Sequence, residues 1–205
     1  MVGLIQPDTG TIHYDGRNIV GADNITKRAI RREIGMLFQG SALFDSKTVE
    51  ENVMFPLQML SEMSNQEKIE RVNFCLERVG LENVNKRMPS EISGGMQKRV
   101  GIARAIVMNP KYLFCDEPNS GLDPQTAMKI DGLIHEITKE FNITTVVITH
   151  DMNSVVEIGE HIIFLNKGEK LWEGTKENIL QSDHKVLNKF VFSNAILKNF
   201  KSNED

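Results

Sequence analysis

The sequence predicts an α/β fold with a mainly parallel sheet core, an antiparallel β-hairpin region and a helical subdomain, in a single domain over residues 1–205. Three observations predict it. Beyond Pro110, apolar runs of strand length alternate with helix-period stretches, the pattern of parallel strands joined by crossover helices. Between about residues 45 and 108 the apolar residues recur mostly at helical spacing. The opening residues read turn, short strand, turn, as a hairpin does.

In chain order, residues 6–10 (Gln-Pro-Asp-Thr-Gly) form a turn, 11–14 a short strand, and Asp15-Gly16 a second turn. Residues 27–32 are a basic helical stretch and 34–38 a buried strand, which Gln39-Gly-Ser breaks. The helical middle carries turns near Pro56, Gly80 and the triplet Ser93-Gly94-Gly95. A strand at 112–115, a helix at 125–141, a strand at 144–149, a helix at 151–159 and a strand at 161–165 follow. From His184 an amphipathic tail, residues 184–205, places Leu187, Phe190, Val191, Ile196, Leu197 and Phe200 at helical spacing. It packs on its own subunit or reaches a neighbour.

Composition excludes several classes. The net charge of -4 is spread along the chain, with no basic face to argue for nucleic acid. Cys75 and Cys115 are too far apart and too few for a metal site or a disulfide framework, which suits a reducing compartment. No apolar run is long enough to span a bilayer, so a membrane role would be peripheral.

Four features carry chemistry. Asp116 and Glu117 close the apolar run Tyr112-Leu-Phe-Cys. Such a pair suits phosphoryl transfer, the first acid holding Mg²⁺ through water and the second polarising an attacking water; a strand stopping at a solvated turn gives the same pattern. Ser93-Gly94-Gly95 precedes a helix expected from about residue 96 to 104, where free amides and the helix dipole suit an anion. A serine N-cap on a flexible turn has the same letters. His150 follows the apolar run 145–149, at a strand's carboxyl end where open parallel sheets place ligands. Gln39 also follows an apolar run and says little alone.

In the order Gln39, Ser93-Gly-Gly, Asp116-Glu117, Ser120-Gly-Leu-Asp123, His150, the chain resembles the ABC ATPase family over essentially its whole length. The resemblance implies a P-loop NTPase fold of the ABC ATPase type and an ATP-hydrolysing subunit that powers a transporter. It makes Gln39 the Q-loop glutamine, residues 92–96 the signature motif, Asp116 and Glu117 the Walker B acids, residues 120–123 the D-loop and His150 the switch histidine. By the same resemblance Glu117, His150 and Gln39 serve catalysis, with Glu117 as general base, while Asp116 and Gln39 hold Mg²⁺. Ser93, Gly94, Gly95 and Asp123 serve nucleotide binding across a dimer of two ATPase subunits. ATP and Mg²⁺ are the implied cofactors; a second ATPase subunit, a membrane permease subunit and an MCE-type substrate-binding protein are the implied partners. The implied location is the cytoplasmic face of the inner membrane. Phe38-Gln-Gly-Ser-Ala-Leu-Phe44, Asn52-Val-Met-Phe-Pro56 and Met88-Pro-Ser-Glu-Ile-Ser-Gly-Gly-Met96 resemble the Mla-type ATPases of phospholipid transport.

The chain departs from the family in one place: the phosphate loop G-x-x-x-x-G-K-[ST] occurs nowhere. Residues 1–10 resemble the stretch that follows that loop and its helix, so the expectation is a chain without the N-terminal strands and Walker A helix. Alone it is expected to be inactive, for want of that loop, and prone to aggregate, because the strands at 144–149 and 161–165 would each lack a partner. Rival functions are a soluble, non-transport ABC ATPase and a non-hydrolysing subunit that donates only its signature. Leu43, Phe44, Val53, Phe55 and Leu57 are either a groove for a permease helix or plain core.

Overall fold

A computed structural model describes residues 2–192, which fall into two compact units, one ending at Ile148 and one beginning at Thr149. In the first unit the antiparallel hairpin β1 (His13–Tyr14) and β2 (Arg17–Asn18) turns at Asp15-Gly16, both at positive φ (47° and 76°). That conformation matches the twist of a two-residue hairpin and suits an Asp-Gly pair. Helix α1 (Asn24–Arg32) starts earlier than its basic stretch, because the Asp23 side chain accepts the Thr26 amide at 2.7 Å as an N-cap. Arg17 binds Glu33 through both guanidinium ends, at 3.2 and 2.5 Å, and so ties the hairpin to the start of the sheet.

The sheet is parallel, in the order β3 (Ile34–Leu37), β4 (Tyr112–Asp116), β5 (Thr144–Ile148). Central β4 is apolar on both faces, as a strand covered on both sides must be. Leu113 and Cys115 face the main core, whereas Phe114 faces a smaller cluster with Tyr14, Ile19 and Ile30. Burial pushes the Cys115 thiol up to about 12 and the Cys75 thiol up to about 11, so both behave as apolar side chains near neutrality. Among the described residues, β5 pairs with β4 alone, and Ile148 on it is exposed.

The helical middle resolves into α2 (Val49–Leu60), α3 (Asn65–Arg78), a 3₁₀ turn (Pro89–Glu91) and α4 (Gly94–Ile106). Thr48 with Glu51 and Ser64 with Glu67 form capping boxes that start α2 and α3. The expected turn near Pro56 is absent. The ring removes one backbone bond, yet Val49, Val53 and Leu57 form a buried stripe at i, i+4 and i+8 that carries the helix through it. Gly80, at φ 67°, ends α3 as expected. Helix α5 (Pro124–Glu140) then covers the sheet through Ile130, Ile134 and Ile137.

The second unit contains α6 (Met152–Ile158), an antiparallel pair β6 (Ile162–Asn166) and β7 (Glu169–Gly174), and short helices α7 (Lys176–Ile179) and α8 (Lys185–Val191). Strand β7 went unread, so the strand expected at 161–165 pairs antiparallel with a neighbour that the sequence did not announce. Its cause is local: Lys167 and Gly168 both take positive φ (50° and 83°) between paired Asn166 and Glu169, a two-residue hairpin turn. Leu187 and Val191 of the tail helix are buried with Met152, Ile162 and Ile179 in this unit's own core. The tail's Ile196, Leu197 and Phe200 lie outside the described residues.

Helix α4 meets β3 at backbone contact. A Cβ on Gly35 would stand 2.3 Å from the Ala105 carbonyl oxygen, while one on Gly132, within α5, would meet nothing within 4 Å. Gly35→Ala is therefore expected to destabilise the fold by about 1–3 kcal/mol, and Gly132→Ala to be neutral or stabilising by up to about 1 kcal/mol. Urea unfolding of the two variants checks this; equal midpoints would remove the close approach from the account.

Candidate functional site

The parallel register brings two of the candidate segments to one edge of the sheet. Leu37 pairs with Cys115, so Gln39, two residues past β3, and Glu117, one residue past Asp116 at the end of β4, leave the sheet at the same end. Asp116 pairs with Ile148 and is half-buried, as is Glu117. Carboxyl ends of adjacent parallel strands are where such sheets bind ligands.

Glu117 has φ 46°, the left-handed region that a residue with a Cβ adopts only when its surroundings hold it there. Three hydrogen bonds do so. Its amide donates to Ile148 O at 2.9 Å, and its carbonyl accepts from the Ser120 amide at 3.1 Å and from Lys98 Nζ at 3.3 Å. Lys98 comes from α4 and is buried to 4% exposure. Desolvation lowers its pKa, and the nearby Glu117 and Asp116 charges oppose that shift.

Beyond Glu117 the chain is tied to α5. Asn119 Nδ2 donates to buried Asp131 Oδ2 at 2.7 Å, and the Asp123 side chain accepts the Thr126 amide at 3.0 Å, capping α5. That cap, through the Thr126 side chain and backbone, lowers the Asp123 pKa. Asp123 thus has a structural task in this chain besides the nucleotide role its motif implies.

Ser93 caps α4, its Oγ accepting the Met96 amide at 3.3 Å, and the helix begins at Gly94 instead of about residue 96. The serine cap starts the helix early, which makes both glycines part of its first turn. Their amides belong to the unbonded N-terminal set of a 13-residue helix without acid in that turn, an arrangement suited to an anion. Ser93 and Gly94 are exposed, and a Cβ on Gly95 would come within 2.9 Å of Thr126 Cγ2. The signature turn therefore lies against the start of α5, beside the segment that follows Glu117.

After Gln39, which is exposed, Gly40, Ser41 and Ala42 all take positive φ (71°, 66° and 45°). Arg104 of α4 holds this bend, donating to Ser41 O at 2.5 Å and Ala42 O at 2.8 Å. Fully buried Asn52 fixes the next turn through Phe44 N and O, Lys47 O and Thr48 O. His150 lies two residues past β5, exposed, in the second unit.

Of the five groove candidates, Val53 and Leu57 are core, facing the other helices of the subdomain. The Phe44 and Phe55 rings meet at a tilt, centroids 4.9 Å apart, with Phe44 41% exposed. They line a groove of about 260 Å³ whose rim includes Arg31, Arg32 and Arg104. Lys98, Arg104, Asn52 and Asp131 were missed by sequence reasoning. Only Arg104 left a signal: it interrupts the otherwise apolar run of α4 from Val100 to Ile106, most of which is buried, so its stem is drawn into the core. No group of three or more His, Cys, Asp and Glu side chains that could hold a metal occurs among the described residues. Nor is any described helix long and apolar enough to cross a membrane.

Comparison with known proteins places this geometry. Residues 1–120 match the family model described as ABC transporter. Methionine import ATP-binding protein MetN 1 of Pseudomonas putida is 39% identical over 92% of this chain and 56% of its own length. MetN of Carboxydothermus hydrogenoformans is 42% identical over 92% of the chain and 56% of its own. The chain thus spans about half the length of these curated relatives. Among solved structures, a dimeric ATP-binding cassette in a post-hydrolysis state bound to ADP and Pi has 36% identity and a TM-score of 0.76, covering 84% of this chain and 76% of that one. A Clostridium perfringens subunit of the ABC transporter complex cbiONQ has 28% identity and a TM-score of 0.81, covering 98% and 79%. With its strand-end acids, capped Ser-Gly-Gly helix and parallel sheet, the chain belongs to the ABC transporter ATP-binding family and has its mixed α/β, P-loop ATPase fold.

Proposed function

We propose that the chain is the ATP-hydrolysing part of an ABC transporter, working as a dimer beneath a membrane permease. The observation that supports this is the parallel pairing of β3 with β4, which brings the segment carrying Gln39 to the same end of the sheet as Asp116 and Glu117. Mg²⁺ is held by one or two carboxylates together with waters and phosphate oxygens, so a single half-exposed strand-end acid such as Asp116 fits it without a larger acidic cluster. When bound, the ion neutralises charge on the transferring phosphoryl group. Glu117 accepts the proton of the attacking water, whose oxygen forms the new bond to the γ-phosphorus as the bond to the leaving ADP oxygen breaks. Ser93, Gly94 and Gly95 offer their turn to a nucleotide held by the opposite subunit, and Asp123 signals across that dimer. His150 orients the γ-phosphate, and Gln39 links the site to the permease.

Two readings of the cargo have support. The Phe38–Phe44 segment, the 52–56 segment and the methionine at position 96 of the signature favour a phospholipid system with an MCE-type partner. The identity to methionine import proteins favours a small-molecule importer. Turnover of the reconstituted complex in the presence of phospholipid or of methionine separates them, since the true cargo raises it.

Three outcomes are expected for the subunit at its full encoded length. Glu117→Gln should bind ATP yet lose turnover by roughly 10² or more; near-normal steady-state hydrolysis would remove Glu117 from the base role. Ser93→Arg should abolish ATP-dependent dimerisation in light scattering by filling the phosphate-facing turn, and persistence of the dimer would count against that turn. Phe44→Glu, at an exposed ring of the apolar groove, should leave folding intact by circular dichroism and prevent co-purification with the permease. Retention of the permease, or loss of the fold, would make the groove part of the subunit's own packing.

A further inference from the structure

Glu117 must place its carboxylate on a water while its backbone sits in a conformation that costs about 1–3 kcal/mol. Two of the bonds that hold it there come from its immediate surroundings, the Ile148 carbonyl on the next strand and the Ser120 amide three residues on. The third comes from elsewhere in the chain: Lys98 reaches from α4 to the Glu117 carbonyl at 3.3 Å. A lysine at 4% exposure is uncommon, since burying an ammonium is unfavourable unless it is paired. Here the pairing is with the peptide that sets the direction of the Glu117 side chain, and the charge lies near both strand-end acids. Lys98 also stands just over one helical turn beyond Ser93 on the same helix.

We infer that Lys98 is a positioning residue for hydrolysis: from the helix that carries the Ser-Gly-Gly turn it pins the Glu117 peptide in its left-handed conformation and so aims the Glu117 carboxylate. This rests on the ATPase reading above. Removing the donor frees the peptide toward ordinary backbone angles, and a shift of about 1 Å at a reacting group can lower rate on the order of 10²-fold. The loss belongs in kcat, because ATP binding does not use the Lys98 side chain.

The test compares Lys98→Met, which keeps length without a donor, with Lys98→Gln, which keeps an N–H donor without charge, in the ATPase subunit at its full encoded length. Expected are a fall in kcat of about tenfold or more for Lys98→Met with KM for ATP within about twofold, and substantial recovery in Lys98→Gln. Amide hydrogen exchange at Ser120, whose N–H bonds the Glu117 carbonyl, should quicken in Lys98→Met and return toward normal in Lys98→Gln. Unchanged kcat and exchange in Lys98→Met would overturn the inference, as would equal loss in both variants tracking a drop in melting temperature. Glu117→Gln and the unaltered subunit, run alongside, separate the two levels: no turnover in the unaltered subunit sinks the ATPase reading and intact turnover in Glu117→Gln sinks the base role of Glu117, whereas loss in Glu117→Gln with normal Lys98→Met turnover sinks the Lys98 role alone. Should Lys98→Met not fold, kcat and Ser120 exchange in Lys98→Gln decide, because normal values support a donor role and impaired ones refute it.

Discussion

The contact on which the first unit depends is the approach of α4 to β3, where Gly35 leaves its Cα against the Ala105 carbonyl and no side chain intervenes. Gly101, one turn earlier on α4, is also close to β3, but through side chains: a Cβ there would stand 2.7 Å from Leu37 Cδ1 and 3.3 Å from Ser41 Cβ. Interiors packed at this density transmit displacement instead of absorbing it. The helix and the strand are therefore one rigid body, and whatever α4 carries is held in register with the sheet's carboxyl edge.

Helix α4 begins with one of the three chemical segments of this unit and contacts the other two. Its N-terminus is the Ser93 cap with Gly94 and Gly95, its second turn sends Lys98 to the Glu117 carbonyl, and its last turn sends Arg104 to the carbonyls of Ser41 and Ala42. Both target loops are strained, Glu117 at φ 46° and residues 40–42 at three successive positive φ values. Strain persists only where surroundings over-determine it. The two buried or half-buried cations act on backbone oxygens, so they hold the conformation of these loops directly. Burial lowers the Arg104 pKa, yet a guanidinium starts so far above neutrality that it keeps its charge.

Much of the architecture was legible because it rests on long, strongly patterned segments. Strands β3, β4 and β5 are apolar runs bounded by breakers, and α5 is a 17-residue amphipathic stretch that begins at an Asp-Pro cap. The acid pair, the Ser-Gly-Gly turn and Gln39 were readable as letters. Their chemistry came from order along the chain, since each alone has a bland explanation. Helix α2 was cut at Pro56 because local propensity was weighed without the Val49, Val53, Leu57 stripe, and tertiary burial wins there. Strand β7 was invisible because Glu169-Lys-Leu-Trp-Glu alternates weakly and its turn depends on a lysine taking positive φ beside a glycine. Lys98 and Asn52 look like any surface polar residues; only the fold shows that the first is buried against Glu117 and that the second bonds four backbone groups.

The groove and the sheet edge are joined through the same rigid body, and this limits how a force applied at one can reach the other. A load applied at the Phe44–Phe55 pair meets the loop that follows Gln39, which is fixed at one point by Asn52 and at another by Arg104. Asn52 belongs to α2 and Arg104 to α4, so the loop cannot move alone without breaking bonds to one helix or the other. Releasing a buried backbone carbonyl from its donor costs about 1–3 kcal/mol, the size of a typical coupling energy between two sites. Moving α4 instead would force Ala105 into Gly35 or open a gap over β3, and displaces the Ser93 turn and Lys98 together. The loop bonds are thus the softer of the two routes. A displacement at the groove reaches Gln39 first, and reaches Glu117 only when it is large enough to carry α4 with it.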